Sequence, residues 1–251
     1  MNFRAFVFAV ALLVSGSLFA SVTEEETFSF TLDDGGRFSI SNVNGSITVT
    51  GVSGNSVEIV ATKKADNQDD LDEIEIDISH SATEIVIETE TGESDSWFSH
   101  DNNSGQVKYK ITLPVGTMLD SVETVNGDVN ISGVSGNVVA ESVNGGVDVR
   151  DLAGDASLST VNGSIDAEFA KLEGQQSVKA ETVNGRVSIT LPDNANVDVS
   201  ADTLNGGING SEFGLVTDKG FVGSDLNGKI GNGSARLNID TVNGSIKIRS
   251  K

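Results

Sequence analysis

The sequence predicts an all-β protein built as a parallel β-solenoid, and three observations predict it. A Val/Leu-Asn-Gly step returns at Asn126-Gly127, Asn144-Gly145, Asn162-Gly163, Asn184-Gly185, Asn205-Gly206, Asn227-Gly228 and Asn243-Gly244. The intervals of 18, 18, 22, 21, 22 and 16 residues lie in the range of solenoid coils, where one repeat cannot bury its apolar face alone. Between the steps run half-buried strands: Ala156, Leu158 and Thr160 share one parity while Ser157 and Ser159 take the other, and Ala235, Leu237, Ile239 and Thr241 alternate with Arg236, Asn238 and Asp240. Twenty-eight glycines against two prolines, with no helical periodicity beyond the N-terminus, complete the reading.

Taken in chain order, residues 1–20 (MNFRAFVFAVALLVSGSLFA) carry one arginine, an apolar run from Ala5 to Val14 and small residues up to Ala20. That layout predicts a cleaved secretory signal peptide, its core too short for a comfortable membrane span. No later stretch is apolar enough to cross a bilayer as a helix, so no integral membrane segment is expected after cleavage. Residues 21–110 predict an N-terminal β portion: a first coil around "SNVNGSITVTGVSG", then strands with acidic outer faces in "DDLDEIEIDI" and "TEIVIETE". These flanking strands are expected to cap a solenoid end, whose unpaired edge must be blunted. Residues 111–251 predict the solenoid repeats. Within them "ITLPVGTMLDSVETVNGDV" from Ile111 echoes "ITLPDNANVDVSADTLNGGI" from Ile189, placing Pro114 and Pro192 where strands end in loops.

Asn-Gly between alternating strands is also the strongest short-range hairpin signal. A hairpin meander would leave Val125, Val143, Val161, Val183, Leu204, Leu226 and Val242 in water. A corner that turns each coil is expected to bury this column instead. In that reading Asn stacks on Asn, with its amide donating along the ladder, and glycine supplies a positive φ.

The repeated Val-Asn-Gly-x-Ile/Val corners, the Leu-Pro strand ends and the signal peptide resemble the bacterial putative-adhesin family of adhesin-like β-solenoid domains, kin to auto-transporter adhesin heads. The likeness spans about Phe28 to Ile248. It implies an exported, non-catalytic, right-handed β-helix and brings no catalytic residues with it. Unlike an auto-transporter, the chain has no C-terminal segment resembling a membrane barrel.

The remaining chemistry is sparse. There is no cysteine, hence no disulfide framework, thiolate metal site or lipid-bearing cysteine. A formal net charge of −21 repels nucleic acid and anionic membrane, and favours solubility and cationic partners. His80 reads as a solvated strand-end residue, and His100 beside Asp101 lies in a polar loop without a nucleophile. Asp148 and Asp166 form a short acidic row on successive coils, the one feature pointing to a polysaccharide-active enzyme. The run of Asp69, Asp70, Asp72 and Glu73 lacks EF-hand spacing and supports only weak cation binding. No catalytic residue, cofactor or specific metal site is expected. Trp97 and Phe98, adjacent in an acidic loop, are the candidate partner contact. The composite expectation is a periplasmic or cell-surface protein that meets a protein or carbohydrate at the envelope. The alternatives are an enzyme on the same scaffold and a structural or sensor-associated envelope protein.

Overall fold

The computed structural model describes residues 21–91, 105–172, 174–220 and 222–251. The signal peptide, Trp97, Phe98, His100 and Asp101 lie outside the described residues. The N-terminal portion comprises β1 (Val22–Thr31), β2 (Arg37–Asn44), β3 (Ile47–Val52), β4 (Ser56–Ala65), a short helix α1 (Gln68–Asp72), β5 (Ile74–His80) and β6 (Glu84–Thr91). Then come β7 (Gln106–Pro114), β8 (Met118–Asn126), β9 (Val129–Ser132), β10 (Val138–Asn144), β11 (Val147–Leu152), β12 (Ala156–Asn162) and β13 (Ile165–Phe169). The remainder is β14 (Ser177–Asn184), β15 (Val187–Leu191), β16 (Val197–Asn205), β17 (Ile208–Asn209), β18 (Asp218–Lys219), β19 (Ser224–Ile230), β20 (Ala235–Asn243) and β21 (Ile246–Ser250).

Each coil contributes one strand to each of two facing sheets, and every coil except β6–β7 turns between them at Asn-Gly. Sheet I has ten strands in the order β1-β4-β7-β3-β9-β11-β13-β15-β21-β17; sheet II has eleven in the order β18-β19-β16-β20-β14-β12-β10-β8-β2-β6-β5. Pairing through the stack is parallel and in register, Asn126 beside Asn144 beside Asn162 beside Asn184. The antiparallel pairs β1/β4, β4/β7, β5/β6, β16/β19 and β18/β19 lie toward the ends of the sheets. The fold is thus all-β and solenoid-like. One continuous core runs between the sheets from Leu32 to Ile248, and the change of sequence texture at Ile111 falls inside β7.

Core rows fill by complementing volumes. Across sheet II one inward row reads Val122, Ala140, Leu158, Ala180, Ile239, Ala201, large beside small from rung to rung, which keeps density high without overlap.

Stacking order departs from chain order at both ends. The β2–β3 coil lies between β6–β7 and β8–β9, and the last coil, β20–β21, lies between β14–β15 and β16–β17. The β7–β8 and β15–β16 connections, which step over these two coils, begin at the two prolines. Pro114 ends β7 and accepts from the Thr117 amide at 3.0 Å; Pro192 follows β15 and accepts from Ala195 at 2.9 Å. The Ile-Thr-Leu-Pro echo therefore marks two equivalent step-over turns.

Three expectations need correction. The apolar column before the asparagines faces water: Val125, Val143, Val161, Val183, Leu204 and Val242 are all exposed. Asn227-Gly228 makes no corner; it lies within β19, antiparallel to β16, with Asn227 opposite Ser200 and Leu226 buried against Ala201. Its coil is interrupted because the strand serves as a cap. Finally, none of Gly127, Gly145, Gly163, Gly185, Gly206, Gly228 and Gly244 has a positive φ. Glycine is required at the corner for another reason: a Cβ on Gly163 would run into the carbonyl of Gly145, and one on Gly185 into that of Gly163. The coils stack too closely there for any side chain.

Candidate binding face

The four residues Thr-Val-Asn-Gly divide the corner between them. Thr160 points inward and donates its hydroxyl to the Gly145 carbonyl of the coil below at 2.8 Å; Ser142, Thr182 and Thr203 do the same at 2.8–3.0 Å. Asn162 donates its side-chain amide to the Asn144 side-chain oxygen, one link of a ladder through Asn44, Asn126, Asn144, Asn162, Asn184, Asn243 and Asn205 with distances of 2.7–3.0 Å. Asn44 joins from the first coil, and Asn227 stands outside the ladder, bonded to Ser200 at 2.9 Å. Ladders of this kind satisfy polar groups rung by rung and fix the register.

The fourth residue, valine, has no such role. Val143, Val161 and Val183 are each 40% exposed, side by side on the outer face of sheet II. Two residues upstream, on the same face, the register aligns Glu123, Glu141, Ser159, Glu181, Asp240 and Asp202. The Asp240 carboxyl is pushed above the usual carboxylate range, first by loss of solvent and then by the Glu181 and Asp202 charges beside it. Lys179 meets Glu181 at 2.9 Å. Together the rows line a groove of about 820 Å³ that reaches from Ser41 to Asp225, with Val222 at one end and, among the described residues, no aromatic side chain in its walls.

Elsewhere the candidate groups are engaged locally. Arg150 grips Asp148 through two bonds of 2.8 Å, and Arg186 lies 3.6 Å from Asp166; the stacked pair of the enzyme reading is held in ion pairs. His80 packs against Phe30, ring centroids 4.5 Å apart. In the acidic run, Asn67 caps α1 by accepting from the Asp70 amide at 2.9 Å, and Gln68 donates to Asp72 at 2.8 Å. Among the described residues no group of three or more His, Cys, Asp or Glu is gathered as a metal site, and no helix is long and apolar enough to cross a membrane.

Among solved structures the chain is similar to a putative cell adhesion protein from Clostridium sporogenes ATCC 15579, at 15% identity over 91% of this chain and 100% of that one, with a TM-score of 0.52. It is also similar to a putative adhesin from Bacteroides fragilis NCTC 9343, at 13% identity over 90% and 97% of the two chains, with a TM-score of 0.40. At such identity the first likeness speaks for the fold alone. No curated protein gives a significant match. The family model described as Toastrack DUF4097 matches residues 36–249. The chain, from its second strand to its last, belongs to the Toastrack DUF4097 family.

Proposed function

We propose that this protein is an exported, non-catalytic, adhesin-like β-solenoid that mediates interactions at the cell envelope or surface, in the periplasm or outside the cell. The observation that carries the reading is the valine column. Single exposed aliphatic residues are ordinary, but an apolar stripe repeated at one position on neighbouring rungs is a contact surface kept in water. The solenoid architecture supplies it as a long, regular face. The name of the Clostridium sporogenes structure, a putative cell adhesion protein, and the signal-like N-terminus support the same direction. Right-handed winding of the coils belongs to this reading, since parallel β crossovers are right-handed almost without exception.

The test is binding of the purified protein to fractionated envelope, with a polysaccharide panel assayed alongside for cleavage. Saturable binding that weakens when valines of the column become serine is the expected outcome. Turnover of any polysaccharide would replace the reading with an enzymatic one.

A further inference from the structure

The groove on sheet II has a chemistry more specific than a generic sticky surface. Its floor is the stripe Val125, Val143, Val161, Val183, Val242 and Leu204. One bank is the acidic row Glu123, Glu141, Glu181, Asp240 and Asp202, interrupted at Ser159. On the floor's other side, one residue further along each strand, runs the asparagine ladder, neutral, with its amides spent on one another.

We propose that this groove receives a cationic amphipathic α-helix of a protein partner, lying along the stack and across the strands. The inference rests on the envelope-interaction reading above and adds the occupant.

Four observations select it. The strands beneath the groove are hydrogen-bonded on both sides, so the face offers side chains only and cannot accept an added strand. The rows are parallel, an apolar line and an acidic line, and both run along the stack. An extended segment presents one file of side chains per face at intervals of ~6.7 Å, and cannot satisfy both. A helix carries an apolar stripe and a flanking polar line together, and its ~5.4 Å turn is close to the ~4.8 Å rung spacing. Charge excludes two other occupants: a second copy would bring an identical acidic row and its own −21, and an anionic lipid surface would be repelled. Among the described residues no aromatic ring lines the groove on which a sugar could stack. From Val43 to Leu204 the seven rungs span ~29 Å, the length of a helix of about nineteen residues. Because only one bank is acidic, the partner's lysines or arginines belong on one flank of its apolar stripe, which fixes its direction.

The probe is a dye-labelled synthetic peptide of twenty residues, leucines at i, i+3, i+4 and i+7 and lysines along one flank, titrated against the full chain by fluorescence anisotropy. Comparison peptides carry glutamate for lysine, or the same residues in scrambled order. The helical cationic peptide should bind. Its Kd should rise at least tenfold in the Val143→Ser/Val161→Ser/Val183→Ser variant, whose unchanged thermal midpoint certifies its fold. Glu141→Gln/Glu181→Gln/Asp240→Asn should also weaken binding and flatten its salt dependence. Equal binding of the scrambled peptide would reduce the effect to charge adsorption and overturn the proposal, as would undiminished binding by the serine variant. Dimerisation abolished by the serine variant would assign the face to a second copy and overturn it equally. Envelope binding that survives the serine substitutions while the peptide fails defeats the occupant alone. Peptide binding without any envelope binding supports the occupant and defeats the envelope reading.

Discussion

At Gly163 the limit is space. The Gly145 carbonyl occupies the position a Cβ would take, so even Gly163→Ala forces the coils apart, and overpacking of this kind costs about 1–3 kcal/mol. Urea denaturation of Gly163→Ala should show the midpoint falling accordingly. Thr160→Val keeps the shape but removes the hydroxyl that satisfies the Gly145 carbonyl, and an orphaned buried acceptor costs about 1–3 kcal/mol. Between these two sits Val161, whose side chain meets water; Val161→Ser should change stability by no more than about 0.5 kcal/mol. If Val161→Ser proved as damaging as Thr160→Val, the valine column would be structural. Asp240 carries a pH signature. Its folded pKa stands above the ordinary value, so its ionised form opposes folding: the penalty is present above that pKa and is relieved as pH falls through it. Asp240→Asn should therefore raise the thermal midpoint at pH 7, with the gap between variant and parent closing as the pH descends through the carboxylate range.

For the coil as an element, much was legible in the sequence. The Asn-Gly period gave the repeat, and the alternation of Ala156, Leu158 and Thr160 identified the inner face. That same alternation, continued one step, puts Val161 on the outside with Ser157 and Ser159. Seven aliphatic residues at one position argue for burial in general, and here six of the seven stand exposed on the outer face of the sheet. Glycine was recognised as necessary at the corner, but a positive φ and a close approach leave the same residue in the sequence, and only the stacked carbonyls distinguish them. Asn227-Gly228 repeats the Leu-Asn-Gly step, but Asp225 stands where the corners from Asn126 to Asn243 carry Thr or Ser. It lacks the hydroxyl that bonds the neighbouring glycine carbonyl, and Leu226, buried opposite Ala201, lies in an antiparallel strand.

For the molecule as a whole, stacking order was the part the sequence concealed. Every coil presents the same apolar rows and the same corner, so local pattern gives any coil an equally good neighbour, and consecutive units are normally adjacent. The exception is closed by the C-terminal coil. Its strands β20 and β21 occupy the place between β14–β15 and β16–β17, which makes residues 235–251 an internal layer supplied by the end of the chain. In a solenoid stacked in chain order, deleting the last coil peels off a terminal unit and the remaining repeats keep most of their stability. Here the deletion would empty a slot bounded on both sides by strands. β14 and β16 would lose their partner in sheet II, β15 and β17 theirs in sheet I, and the buried side chains of Leu237, Ile239, Ile246 and Ile248 would leave the core together. A chain ending at residue 234 should consequently lose its sharp thermal transition, followed by circular dichroism, and become protease-sensitive on both sides of the gap, from β14 through β19. A sharp transition with a modestly lowered midpoint would mean that the β16–β17 coil can close directly onto β14–β15. The intercalated order would then be a preference of the full-length chain and not a condition of its folding.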